Sequence, residues 1–403
     1  MGEFVLVGGR VVDPAQGIDT SLDVVVRDGR IAGLLPPGGA VGGAAGGAAV
    51  NIDGAIVTPG LVDLHGHWYE GSPWGIDPLI NLRSGVTTPC DAGTSGYENF
   101  PEFRRRSLEA SPIRVRVFLH IGSLGCASML AGELADLRYV RVADTIEMIR
   151  RHPDVIVGVK ARLGTQPCGT NIMAVLEAAL QAAEGGGVPL MVHVSSGADL
   201  RRVLPRLRPG DIVTHTFIAD DGGLLFGGEQ NILPEVWDAK RRGVIFDVGH
   251  GCGSFDWGIY RRAVEQGFRL DTISTDLHRL CVEGPVFDML TTMSKFLHAG
   301  LSLSEVVEAS TLRPARAIHR EAEIGSLELG RRADIAVFRI QSGSYDYTDA
   351  FGHTERAAQQ FVPVLTVNGG EIVRPEDVSI RLRPYTAADH EVDCGAPLTS
   401  VAE

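Results

Sequence analysis

No stretch of the sequence reaches about 18 consecutive apolar residues, the length an α-helix needs to cross a bilayer, so a membrane protein is not expected. The start, MGEFVLVGGRVVDP, lacks the basic n-region, sustained apolar segment and small-residue cleavage site of a secretory leader, which makes the cytoplasm the default location. Cysteines are sparse and scattered. The six of them (Cys90, Cys126, Cys168, Cys252, Cys281 and Cys394) show no C-x-x-C spacing, which excludes a zinc knuckle or dithiol redox motif and leaves free thiols. Positive charge is also short: 37 basic residues against 50 acidic give a net charge of −13, a field that repels a polyanion and removes nucleic acid as a partner.

What the chain does have is length and ordinary globular composition. Its 403 residues, 44% hydrophobic and 22% charged, suit one large α/β barrel with a small accessory domain. Between residues 61 and 278 eight short apolar, β-branched runs each precede a loop and a helix-compatible stretch. They fall at 61–67, 87–93, 115–123, 155–164, 189–196, 211–217, 244–251 and 271–278, with the clearest helices at 140–151, 171–184 and 286–299. Eight βα units close a barrel. The expected fold class is therefore α/β, a (β/α)8 TIM barrel over residues 58–319.

Two flanking segments, FVLVGGRVVDP near the start and VLTVNGGEIVRP at 364–375, share a pattern of strand, Gly-Gly turn and strand. With SLDVVVRDGRIAGLL and GRRADIAVFRI they predict a small β-sandwich-like domain built from both termini, residues 1–57 plus 320–384, with 385–403 as a tail. The stretch PPGGAVGGAAGGAAV (36–50) is too rich in glycine to hold a regular element.

Polar residues at the ends of the expected strands carry the chemistry, because barrel enzymes build their sites there. His65 and His67 share a face through the strand period of two. Lys160, His193, His215 and Asp276 follow on the fourth, fifth, sixth and eighth strands. Taken singly, each has a plain structural alternative: a polar histidine pair, core histidines satisfied by hydrogen bonds, an acid capping the next helix. Lys160 resists such a reading, since an ammonium on an apolar strand must snorkel, pair or lose its charge. Convergence of all six on one barrel mouth by chance is improbable.

Through TPGLVDLHGHWYEG (58–71), GVKARL (158–163), MVHVSS (191–196), VTHTF (213–217) and ISTDLH (273–278) the chain resembles the amidohydrolase superfamily. WGIDPLINLRSGVTTPCDAGTSGYENFPEFRR (74–105) and FDVGHGCGSFDW (246–257) resemble its dihydroorotase-like and adenine-deaminase-like bacterial subgroup, which includes a hydrolase of acetylated (R)-mandelate. The resemblance implies two divalent metal ions. His65, His67 and Asp276 would hold the buried ion and His193 and His215 the exposed one, with a carboxylated Lys160 between them. Zinc suits these ligands best, with Mn²⁺, Fe²⁺ and Co²⁺ as competitors. A metal-bridging hydroxide would attack the substrate, and Asp276 would take its proton.

The expected activity is cleavage of an ester or amide of a small acylated hydroxy or amino acid. A cyclic-amide hydrolase of dihydroorotase or hydantoinase type is the alternative; a deaminase, a non-catalytic scaffold and a Schiff-base lyase on Lys160 rank lower. His250, Arg162, Arg279 and Tyr69 are candidate substrate contacts, and Trp68 and Trp74 candidate pocket walls. The expected partner is a small molecule, with homo-oligomerisation left open.

Overall fold

The computed structural model describes residues 2–39, 47–126, 132–380 and 382. The expected tail at 385–403, Cys394 and the middle of the glycine-rich stretch lie outside these residues.

Valine-rich runs open the chain as β1 (Phe4–Asp13), β2 (Ile18–Arg27), β3 (Arg30–Leu35), β4 (Ala48–Asn51) and β5 (Ile56–Pro59). The β2–β3 hairpin turns on Asp28 (φ 50) and Gly29 (φ 73), an Asp-Gly pair suited to the double positive φ of a tight turn. There follow β6 (Leu61–Gly66), β7 (Val86–Gly96), β8 (Arg116–His120), β9 (Ile156–Leu163), β10 (Leu190–Val194), β11 (Ile212–Thr214) and β12 (Ile245–Phe246). After the last helices come β13 (Ile335–Thr348), β14 (Thr354–Asn368) and β15 (Glu371–Val373).

β6 to β12 pair in chain order as one parallel seven-stranded sheet. Most of its residues are buried on both faces, which is why these strands read as apolar runs rather than as alternating ones. The run at 271–278, expected as an eighth strand, forms no regular one. Instead it touches both ends of the sheet through single bridges, Asp247 with Thr272 and Gly66 with Leu277. Backbone bonds from Val248 N to Thr272 O (3.1 Å), Asp276 N to His65 O (2.6 Å) and His67 N to Leu277 O (2.9 Å) close the curled sheet. Asp276 breaks the ladder because its φ of 49 is incompatible with a strand.

The helices expected around the sheet lie at Val142–Arg151, Ile172–Gly186 and Met289–His298. Gly187 (φ 69) ends the second as a left-handed cap, and Asp288 starts the third by accepting from Thr291 N.

The terminal strands form a single hydrogen-bonded sheet in the order β15-β14-β13-β5-β1-β2-β3, with β4 also on β1. Strands from before and after the seven-stranded sheet meet in it. Its pairing alone does not divide it into the two layers of a sandwich. Leu6, Val24, Ile31, Val337 and Leu365 belong to its own apolar cluster, separate from the large one around the barrel. A third cluster, with Val62, Leu64, Phe118, Met191 and Ile212, packs on Ala315 and Ile318. Met191 ties this cluster to the site, since its sulfur lies 3.6 Å from Lys160 Nζ.

Candidate active site

Strand register brings the polar residues together. Lys160 is paired in register with His120 on β8 and Met191 on β10, and His193 with Arg162 and Thr214 on the strands either side of it. His65 lies near the end of β6 and His67 just beyond it, and both direct Nε2 at Asp276 Oδ1, at 3.4 Å and 3.1 Å. Lys160 Nζ is 3.3 Å from His65 Nε2. The His215 ring centroid is 4.8 Å from that of His65 and 4.3 Å from that of His193. Ligand-type atoms of His65, His215 and Asp276 all lie within 4.8 Å of one another, a grouping that crosses the two sets implied by the resemblance.

Backbone strain accompanies this convergence. His215 (φ 61) and Asp276 (φ 49) both occupy the left-handed region, which costs a non-glycine residue on the order of 1 kcal/mol or more and concentrates at functional sites. Two glycines leave room for them. A Cβ at Gly249 would sit 2.3 Å from Thr214 Oγ1 and 2.8 Å from His215 Nδ1, and one at Gly251 would sit 2.4 Å from Asp276 Oδ2.

Burial sets the protonation states. Desolvation holds the His65 and His193 imidazoles well below their ordinary range and brings His67 and His215 down to about 4, so all four are neutral and able to ligate. Burial likewise lowers Lys160 to about 8. Outer contacts fix three of the rings: His65 Nδ1 lies 2.8 Å from Thr214 Oγ1, His67 Nδ1 2.7 Å from Thr94 Oγ1, and His215 Nδ1 donates to Gly249 O over 2.7 Å. Their Nε2 atoms are left for the interior. Asp276 Oδ1 is buried without a hydrogen-bond partner. Inward-facing Nε2 atoms of neutral imidazoles beside an orphaned carboxylate oxygen form a donor set suited to divalent cations.

This cluster floors a cavity of about 620 Å³ whose walls include Trp74, Cys126, Arg162, Ser196, Cys252 and His278. Arg162 reaches the cavity with its charge already engaged, Nη1 lying 2.9 Å from Glu133 Oε1. The other three proposed substrate contacts do not line it. His250 is turned away between Gly249 and Gly251, both at positive φ; its ring stacks on Phe255 at 4.7 Å and its Nε2 meets Lys295 Nζ at 2.8 Å. Tyr69 packs on Phe103 and bonds Glu102 (3.2 Å), and Arg279 is buried beside the cavity, its backbone N–H bonded to Trp74 O. Trp68 is core, its indole N–H on Cys90 O. His278, by contrast, lines the cavity, edge-on to Trp74 at 5.4 Å, and its only sequence signal is its place two residues after Asp276.

Residues 56–373 match the family model described as the Amidohydrolase family. A protein named Deacetylase from Enterococcus faecalis is 36% identical over 324 residues, 79% of this chain and 87% of its own length. Two solved structures are similar at 31% identity: one titled as an adenine deaminase (TM-score 0.85, covering 93% of this chain and 100% of its own) and one as a dihydroorotase (0.83, covering 94% and 100%). The chain belongs to the amidohydrolase family. It is a hydrolytic enzyme acting on ester, amide or other C–N bonds, in a family that is generally metal-dependent. No helix among the described residues is long and apolar enough to cross a membrane.

Proposed function

We propose that the enzyme removes the acyl group from a small acylated hydroxy or amino acid, as a binuclear metal-dependent deacylase. The observation that carries this reading is the cluster of four neutral imidazoles, three buried and His193 half-buried, with Lys160 and the unpartnered Asp276 oxygen at the base of the cavity. His65, His67, His193, His215 and Asp276 would hold two divalent ions, with zinc preferred for this nitrogen-rich set. Lys160 would join them as a carbamate, its neutral amine form adding to CO2 with loss of a proton from nitrogen, and would supply a further anionic ligand to the site. When bound, such ions supply Lewis acidity and bring the pKa of water toward neutrality.

The chain's own residues do the rest. Asp276 Oδ1, lying between His65 and His67, accepts the proton of the attacking water and returns it to the leaving oxygen or nitrogen. Trp74, Ile218 and Leu280 exclude water around the acyl group. Arg162, oriented by Glu133 and Gln166, donates N–H to the acid end of the substrate.

A second reading, hydrolysis of a cyclic amide, draws on the dihydroorotase-titled structure with its TM-score of 0.83. Metal content per chain and turnover on acylated hydroxy acids, acylated amino acids and cyclic amides separate the two. About two ions per chain with turnover confined to the acylated acids is the result expected. Turnover of cyclic amides alone would favour the second reading.

A further inference from the structure

Behind the His65 imidazole stands a buried carboxylate, one hydroxyl away. Thr214 Oγ1 donates to Asp247 Oδ2 over 2.8 Å and lies 2.8 Å from His65 Nδ1. Thr272 Oγ1 and Ser274 Oγ also donate to Asp247, at 2.6 Å and 2.7 Å. Across the β6 end Thr94 Oγ1 lies 2.7 Å from His67 Nδ1, and the buried Asp91 accepts from the Thr94 backbone (2.8 Å) and the Trp68 backbone (2.8 Å). All four residues are buried and none lines the cavity, so they act without touching substrate.

Proton counting gives the Thr214 chain a direction. An ionised carboxylate only accepts, and a threonine hydroxyl has a single proton to give. Three hydroxyls converge on Asp247, so the Thr214 proton points there and its oxygen lone pairs face His65. His65 Nδ1 must then carry the hydrogen, which leaves the lone pair on Nε2, the atom turned toward Asp276.

We propose that Asp247–Thr214 is a positioning relay that locks His65 as its Nδ1–H tautomer with Nε2 aimed into the metal site. This rests on the metal-centre reading of that site. A carboxylate acting directly on a ligating histidine is a common arrangement; here a threonine is interposed, so a single hydroxyl governs the ring.

The test uses the full chain with ¹⁵N-labelled histidine, first metal-free and then titrated with zinc against a competing chelator. In the wild type, His65 should show protonated Nδ1. Thr214→Val, which keeps the shape and removes the hydroxyl, should disturb the His65 tautomer and weaken metal binding about 10- to 100-fold, the usual cost of losing an outer hydrogen-bond partner. Thr214→Ser should restore both. An Nε2–H tautomer of His65 in the wild type, which needs no variant to fold, or a valine variant that matches the wild type, overturns the relay. A serine variant as weak as valine does so too, since packing would then be the cause. A wild-type chain with the tautomer as stated but no uptake of metal overturns the metal reading and leaves the tautomer lock standing.

Discussion

Nζ of Lys160 lies 3.3 Å from Nε2 of His65, a contact between two basic groups inside the barrel. Both charged, they would repel in a low-dielectric interior, and burial accordingly brings the lysine down to about 8 and the imidazole well below its ordinary range. Such a contact is stable once the imidazole is neutral and its Nε2 lone pair accepts from Lys160 Nζ. A neutral lysine amine is also the form that reacts with CO2.

Replacing Lys160 by alanine should therefore cost far more than a buried side chain. Metal content should drop, and turnover should fall by about two orders of magnitude or more, the scale seen when a charge-stabilising group is lost. A short carboxylic acid at high concentration should return part of both by filling the gap. Full metal content and full turnover in Lys160→Ala would refute the carbamate.

Asp276→Asn keeps the shape of the side chain and removes its basicity. Turnover should fall by about two to four orders of magnitude, the range for a positioned acid–base group, while metal content stays largely intact on the four histidines and Lys160. Substrate affinity should change much less. Near-normal turnover rejects the base role, and joint loss of metal and activity identifies a ligand role alone.

Chelation should abolish activity without unfolding the chain. The barrel and the terminal sheet have their own apolar clusters, none of which depends on an ion. Far-ultraviolet circular dichroism and turnover, followed together during chelator titration, check this; coincident loss of both signals would overturn it.

The residues that converge at the base of the cavity are legible in sequence because each carries rare chemistry at a predictable place: a histidine pair at strand period, a lysine on an apolar strand, histidines at strand ends. The threonines behind the rings are not. Thr94 in TTPCDAGTSG and Thr214 in VTHTF read as ordinary β-branched strand residues, and only the pairing of distant strands sets them beside His67 and His65. His250 is misplaced by sequence for a related reason. The flanking glycines suggest a loop open to substrate, whereas their positive φ values turn the ring into the core. Asp276 shows the converse: periodicity locates its run, but the left-handed kink that breaks the strand and presents the carboxylate depends on closure against β6.

Gly251→Ala should damage catalysis through Asp276 alone. The new Cβ would fall 2.4 Å from Asp276 Oδ2, and at φ +53 the alanine backbone is itself strained by about 1–2 kcal/mol. Turnover should approach that of Asp276→Asn with the fold retained. A fully active, folded Gly251→Ala would show that the carboxylate can move without penalty.

Lys295 offers a pH test outside the cluster. It is fully buried, its Nζ bonded to Thr348 O (2.7 Å), His250 Nε2 (2.8 Å) and Pro285 O (2.9 Å), three neutral acceptors. Desolvation lowers it from 10.5 to about 7, against a partial pull from Asp349. Between those two values the unfolded chain binds more protons than the folded one, so this lysine makes stability rise with pH, by at most about 1.4 kcal/mol per unit. Below pH 7 both states are protonated and the folded state bears a buried charge, so the slope vanishes and the burden is greatest. Lys295→Met removes the titration. Its stability relative to the wild type should therefore be highest at pH 6 and decline steadily from pH 7 to pH 10, measured by denaturant midpoints across the range. Parallel pH profiles for the two proteins would mean that Lys295 keeps its proton when folded, held by the three acceptors against the cost of burial.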